Sequence, residues 1–258
     1  MDTTARRAAI RERIELTGEV DYASLAAEFS VSEMTIRRDV SLLETDGVVR
    51  RVLGGAIASP RGVEPAFSAR VVDAATQKSD IANAVVRQLA PRETVILDSG
   101  STVLAVARAI RGRDLDLRII TPSILVATEL ADDPGTDIIL TGGRVRPGEL
   151  SLIGGDAEAV FGRYNADTYI MGAAGLDLSR GATDQNVDES RMKRAAMASA
   201  DRVILAIDRS KLGLVEFVTI APAAELGMVI TDGDAADPML TGLASLGVEV
   251  VATGGETR

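Results

Sequence analysis

The apolar positions of this chain keep one period near its start and another further along. Ile10 and Ile14 lie one helical turn apart, and Tyr22, Leu25, Ala26 and Phe29 repeat at i, i+3, i+4 and i+7, which lays an apolar stripe along a helix. Asp21 stands at the expected N-cap of that helix. After the short turn Phe29-Ser30-Val31, Ser32 predicts the cap of a third helix, on which Ile36, Val40 and Leu43 share one face. Asp46-Gly47 predicts a turn, and Val48-Val49-Arg50-Arg51-Val52 a β-wing strand.

Two prolines and a glycine in Ser59-Pro60-Arg61-Gly62-Val63-Glu64-Pro65 interrupt both patterns. Beyond them, short β-branched runs alternate with helix-length amphipathic segments. An amphipathic stretch from Gln77 to Ala90 is stopped by Pro91. Strands are predicted at 94–98, 118–121, 137–141, 168–172, 202–207, 228–231 and 249–252, with a helix from the first of them to about Arg111. Strands apolar on both faces and joined by crossover helices predict an α/β fold with a mainly parallel, doubly wound sheet. The expected organisation is therefore a helical N-terminal domain over 1–57, a linker over 58–76 and an α/β domain over 77–258.

Composition narrows the chemistry. Of 258 residues, 46% are hydrophobic and 26% charged, the mix of a folded globule. There is no cysteine and no histidine, so disulfides, thiolate metal sites, a thiol nucleophile and the usual neutral-pH base are all absent. No metal, cofactor or catalytic residue is expected. The polar start (Met1 to Arg13) lacks the apolar run of a signal peptide, and no stretch reaches the ~20 apolar residues of a membrane span. A cytoplasmic protein with no membrane partner is expected.

The net charge of −10 opposes unspecific binding to nucleic acid, so any DNA contact needs a local basic surface. The third helix supplies one. With Ile36 at the centre of its buried side and about 100° per residue, Met34, Arg37, Arg38 and Ser41 project outward. Paired arginines are common on solvated helix faces. Here they follow a second short helix and precede a basic hairpin, as in a winged helix-turn-helix. The arginine fork can take guanine O6 and N7 together or grip a phosphate, and Arg50 and Arg51 of the wing could reach the neighbouring backbone.

In the second domain the small, hydroxyl-rich loop Ser99-Gly100-Ser101-Thr102 follows the strand ending at Asp98 and opens a helix. Such a loop leaves backbone N–H groups free for an anion, although serine and threonine also serve as ordinary helix caps. Thr121-Pro122-Ser123, Gly142-Gly143, Gly172 to Gly175 and Asp208-Arg209-Ser210-Lys211 likewise follow strands, where open α/β sheets place ligands. Of only three lysines, Lys193 and Lys211 fall where an ammonium could meet a phosphate or carboxylate.

The run Leu25-Ala26-Ala27-Glu28-Phe29-Ser30-Val31-Ser32-Glu33-Met34-Thr35-Ile36-Arg37-Arg38-Asp39-Val40, with Arg51-Val52-Leu53-Gly54-Gly55-Ala56, resembles the DNA-binding signature of the DeoR family of bacterial regulators. Val40 stands where leucine is usual. Asp98 to Thr102, Gly142-Gly143, Gly172 to Gly175, Glu189-x-x-x-Lys193-Arg194 and Asp208-x-Ser210-Lys211 are similar to that family's sensor domain, so the resemblance runs from about Arg6 to Asp232. It implies a sensor related in fold to ribose-5-phosphate isomerase and a transcriptional repressor of carbohydrate genes, controlled by a phosphorylated sugar or related metabolite. It also implies a dimer or tetramer on double-stranded operator DNA. The DNA-binding residues expected are Ser32, Met34, Thr35, Arg37, Arg38, Ser41, Arg50 and Arg51. The effector residues expected are Asp98, Ser99, Gly100, Ser101, Thr102, Thr121, Ser123, Gly142, Gly143, Gly172, Gly175, Lys193, Asp208 and Lys211. Pro122 replaces the asparagine usual in the family, which removes an amide donor. The alternative is an isomerase-like enzyme carrying a DNA-binding head, with Asp98 or Asp208 as base. No phosphate-loop lysine motif or G-x-G-x-x-G supports a kinase or a dehydrogenase.

Overall fold

The computed structural model describes residues 3–45, 49–58 and 65–254. The chain forms two compact units, Met1–Asp73 and Ala74–Arg258.

In the first unit, α1 (Thr3–Thr17), β1 (Glu19–Asp21), α2 (Tyr22–Phe29), α3 (Glu33–Thr45), β2 (Val49–Val52), β3 (Gly55–Ala58) and α4 (Phe67–Val72) follow in order. Ile10, Ile14, Tyr22, Leu25, Ile36, Val40 and Leu43 are buried together with Val49 and Ala56, so the predicted stripes meet in one core. The Asp21 carboxylate accepts the Ser24 N–H at 2.9 Å and caps α2. Ser30 ends that helix in a left-handed conformation, φ +53°.

The wing strands form an antiparallel sheet of order β1-β3-β2. β1 was not expected. It is three residues long, and Glu19, Val20 and Asp21 pair with Ile57, Ala56 and Gly55 of β3. Asp46, Gly47 and Val48, read as turn and strand start, lie outside the described residues, as do Ser59 to Glu64 of the expected linker. Past Pro65 that linker carries α4, and α5 starts at Ala75, because the helix-breaking residues stop at Pro65.

In the second unit the helices are α5 (Ala75–Val86), α6 (Ser101–Ile110), α7 (Ile124–Leu130), α8 (Gly155–Phe161), α9 (Val187–Met197) and α10 (Pro238–Ser245). The strands are β4 (Thr94–Leu97), β5 (Leu117–Thr121), β6 (Thr136–Leu140), β7 (Arg144–Arg146), β8 (Ser151–Ile153), β9 (Ala166–Met171), β10 (Gly175–Asp177), β11 (Gly181–Asp184), β12 (Ala200–Ala206), β13 (Val218–Ala221), β14 (Met228–Thr231) and β15 (Glu249–Ala252). Seven of them make one parallel sheet, order β15-β14-β12-β9-β4-β5-β6, and these are the seven predicted strands.

Alternate strand residues face opposite layers. Ile96, Ile120, Tyr169, Met171, Leu205 and Val229 pack with Phe161 of α8, Met192 of α9 and Leu240 of α10. Val95, Leu97, Ile119, Ile170, Ile204 and Ile230 pack with Ile81 of α5, Val106 of α6 and Val126 of α7. The result is a doubly wound, three-layer α/β unit. From β4 the chain winds outward to β5 and β6, and from β9 it winds the other way, so the order reverses between β4 and β9. A crevice at the carboxyl ends of strands opens at such a reversal. Two small antiparallel sheets, β7-β8 and β10-β11-β13, sit outside the main sheet and were not predicted.

Candidate functional site

In the first unit, the Ser32 hydroxyl accepts the Thr35 N–H at 3.2 Å and lies 3.0 Å from the Thr35 hydroxyl, so both expected contact residues build the cap of α3. Ile36 and Val40 are fully buried, which turns Met34, Arg37 and Arg38 out to solvent, with Ser41 half-buried.

The arginines of this surface are not equivalent. Arg37 lies over the Tyr22 ring, 4.8 Å from its centroid, and 3.7 Å from the Glu33 carboxylate. Arg51 is tied to Glu44 through its backbone N–H, at 2.8 Å, and again through its guanidinium. Arg38 has no ion-pair or hydrogen-bond partner among the described residues. The side chain of Arg50 lies outside the description.

One member of the helix motif had no expected role. Asp39 is 2% exposed and accepts from Arg6 at 2.7 Å and from Arg7 at 3.0 Å, which pins α1 to α3. The glycine pair ending the wing is also structural. Gly54 has φ +83°, and a β-carbon on Gly55 would stand 2.1 Å from the Val20 carbonyl oxygen.

In the second unit, three expected residues meet at the strand reversal. Asp98, after β4, accepts the Lys193 ammonium at 2.5 Å and the Gly172 N–H, after β9, at 3.0 Å. Lys193 also donates to the Gly172 carbonyl at 2.9 Å and lies 3.5 Å from Asp184. Burial opposes the charge on Lys193, but Asp98, Asp184 and Glu189 outweigh it and hold the amine protonated far into the alkaline range. Burial pushes the Asp98 carboxyl up, against the pull of Lys193 and the Gly172 N–H. Burial, with Asp98 beside it, raises the Tyr169 phenol well above its ordinary value.

A second pair continues the cluster. Glu189 accepts the Ser151 hydroxyl at 2.7 Å and meets Arg146 at 2.8 Å. Burial raises its carboxyl, but Lys193 and Arg146 overcome that and leave it below the usual range. Tyr169, Asp184, Ser151 and Arg146 were not expected here. They come from strands too short for an alternation to register, or from within an apolar run. Glu189 was visible only as part of the family-like stretch around Lys193.

The remaining expected residues divide. Ser99 to Thr102 run from Asp98 into α6, whose N-terminus has Gly100 (φ +108°) at the cap and no side-chain cap. Ser99 and Thr102 are buried and Ser101 half-buried. Thr121 and Ser123 are buried and committed locally. The Thr121 hydroxyl accepts the Ser123 N–H at 3.0 Å, and the Ser123 hydroxyl accepts the Val126 N–H at 3.2 Å to cap α7. Pro122 lines a slot with Asp98, Tyr169, Phe161 and Met192 that has no room for a water molecule.

Gly142 and Gly143 are exposed after β6, both at positive φ, and Gly143 packs against Ala157 of α8. Gly175 is required by the fold, since a β-carbon there would lie 2.5 Å from the Leu214 carbonyl oxygen. Asp208 caps the single helical turn Arg209–Lys211 by accepting from Ser210 at 3.0 Å, and Lys211 is half-exposed. No hydrogen bond or ion pair among the described residues joins Asp208 or Lys211 to the Asp98 centre. Among the described residues no group of acidic side chains is arranged to hold a metal ion, and no helix is long and apolar enough to cross a membrane.

Comparison with known proteins follows the same division. The family described as DeoR C terminal sensor domain matches residues 73–233, and that described as DeoR-like helix-turn-helix domain matches residues 6–60. The chain is similar to the HTH-type transcriptional regulator GlpR of Haloferax volcanii, with 35% identity over 93% of this chain and 95% of that one. It is similar to the glycerol-3-phosphate regulon repressor of Escherichia coli K12, with 31% identity over 90% and 92%. Among solved structures, ribose 5-phosphate isomerase A from Methanocaldococcus jannaschii is matched over 54% of this chain and 55% of that one, at 15% identity and a TM-score of 0.41.

Proposed function

The chain belongs to the DeoR family of transcriptional regulators, and on that premise we propose that it represses carbohydrate-metabolism genes under the control of a phosphorylated sugar or related metabolite. The observation that carries the reading is the Arg37-Arg38 face of α3, turned to solvent by the burial of Ile36 and Val40 in a chain of net charge −10. A free guanidinium on a helix that fits a major groove is the means by which an acidic protein grips DNA locally. The names of the relatives, a glycerol-3-phosphate regulon repressor among them, support the regulatory role.

The effector phosphate is assigned to the Gly100–Thr102 edge of α6. The first N–H groups of that helix lack a side-chain cap, and the helix dipole favours an anion there. Asp98 and Lys193, with Gly172 between them, lie buried behind that loop. Catalysis is not part of the reading, which follows the relatives named as transcriptional regulators. A homo-oligomer, dimer or tetramer, would present two α3 helices to paired half-sites, and the cytoplasm is its place of action. The effector acts only through different affinities for the DNA-bound and free arrangements.

The test is a gel-shift titration of the whole protein on duplexes from its own promoter region at low salt, with a thermal-shift screen of phosphorylated metabolites. Binding to one such duplex is expected, and a true effector at 100 times its Kd should add about 2.7 kcal/mol of stability. Indifference to every promoter fragment, with and without metabolites, overturns the reading.

A further inference from the structure

Resting on the DNA-binding reading, we propose that Arg51 is a positioning residue: it clamps the β2-β3 wing to the recognition helix through Glu44 and does not itself bind a phosphate.

Glu44 stands in the last turn of α3, where the helix dipole disfavours a carboxylate. What stabilises it is Arg51, whose backbone N–H reaches Oε1 at 2.8 Å while its guanidinium reaches Oε2. Both carboxylate oxygens are therefore taken by one wing residue. Because the backbone is engaged as well as the side chain, the contact sets where β2 runs relative to α3. The Arg51 N–H is the largest influence holding the Glu44 carboxyl below its ordinary range. Further along the wing, Arg51 pairs in register with Ala56, and Gly55 packs on the Val20 carbonyl of β1. The wing is thus fixed at its base by Glu44 and along its length by β1.

A guanidinium bound to a carboxylate offers DNA a nearly neutral pair, and such a pair displaces few counterions. Arg37, exposed as it is, is partly engaged, over the Tyr22 ring and 3.7 Å from the Glu33 carboxylate. Arg38 carries an exposed charge with no partner among the described residues. Arg38 and Arg51 therefore divide the work, with Arg38 assigned to DNA and Arg51 to aligning the wing.

The experiment measures binding of the full chain to a promoter duplex and to a random duplex of equal length, across a salt series. The variants are Arg51→Ala, Glu44→Ala, Glu44→Gln, the Arg51→Ala/Glu44→Ala double and Arg38→Ala. The clamp predicts that Arg51→Ala and Glu44→Ala both weaken promoter binding and that the double is no weaker than the worse single. The cycle should show a coupling of about threefold or more. Neither change should alter the slope of log K against log salt, and Arg38→Ala should lose more binding on the promoter duplex than on the random one. Glu44→Gln keeps an acceptor and should fall between wild type and Glu44→Ala.

A phosphate contact at Arg51 predicts the opposite pattern: Glu44→Ala or Glu44→Gln tightens binding, while Arg51→Ala weakens it and lowers the slope. That result overturns the proposal and leaves the regulator intact, as does normal promoter binding by both alanine variants. Both side chains are largely outside the core, and circular dichroism checks the fold of each variant. A wild type that binds neither duplex overturns the DNA-binding reading itself, and the clamp falls with it.

Discussion

Lys193 Nζ lies 2.5 Å from Asp98 Oδ2, each side chain 4% exposed, and this pair ties α9 to the end of β4 across 95 residues of sequence. Removing Lys193 leaves the buried Asp98 without its cation. Lys193→Met is expected to cost about 3–5 kcal/mol, and Asp98→Asn added to it should cost less than the sum of the single changes. Urea unfolding of the full chain measures both, and a single-variant cost under about 1 kcal/mol contradicts the pairing.

Glu189 gives the centre an acid limit. Its folded pKa is lowered by Lys193 and Arg146 in spite of burial, so its contribution is present above the unfolded value of about 4.3 and is lost as pH falls through the folded one. Stability should therefore drop steeply below about pH 4.3. In Glu189→Gln the drop should be shallower, although the variant is weaker at pH 7. Identical acid limbs for the two proteins would show that Glu189 does not carry it.

For DNA, Arg38→Ala is expected to cost about 1–3 kcal/mol of operator binding and less on a random duplex. Filter binding on the two duplexes reads the difference. An equal loss on both would make Arg38 a phosphate contact only.

Ser101 begins α6 at the uncapped N-terminus. Ser101→Glu sets a carboxylate where the effector phosphate is assigned, so the metabolite that stabilises the wild type in thermal shift should lose at least about tenfold in affinity, or about 1.4 kcal/mol. Unchanged affinity would move the phosphate elsewhere.

Gly55→Ala would bring a β-carbon to 2.1 Å from the Val20 backbone oxygen, so β1 and β3 must part. Heat should unfold the first unit of this variant earlier, and promoter binding should weaken with it. A variant as stable as wild type would mean that the wing tolerates the shift.

Much of the fold was legible because its signals are local. The i, i+3, i+4, i+7 stripes of α2 and α3 and the apolar runs of the seven main strands need only their own residues to register, and all of them formed. Three-residue β1, β7 and β10 were not legible, since so short a run shows no period and each depends on a partner strand. The centre was half legible. Asp98, Gly172 and Lys193 stood out as strand-end or rare residues, whereas Asp184 and Ser151 gave no signal. Tyr169 reads as one more apolar position of β9. Thr121 and Ser123 stood out equally well, but their hydroxyls are spent on a turn and a cap.

By itself the sequence determined which side of α3 faces outward, because Ile36, Val40 and Leu43 recur at the helical period and burial follows period. It also determined the parallel α/β plan of the second unit. Only the tertiary structure decided which charges stay free. Asp39 meets Arg6 and Arg7 from more than thirty residues away, and Lys193 meets Asp98 from ninety-five. A charge is neutralised by whatever the fold places within a few ångströms of it, and that distance has no counterpart along the chain.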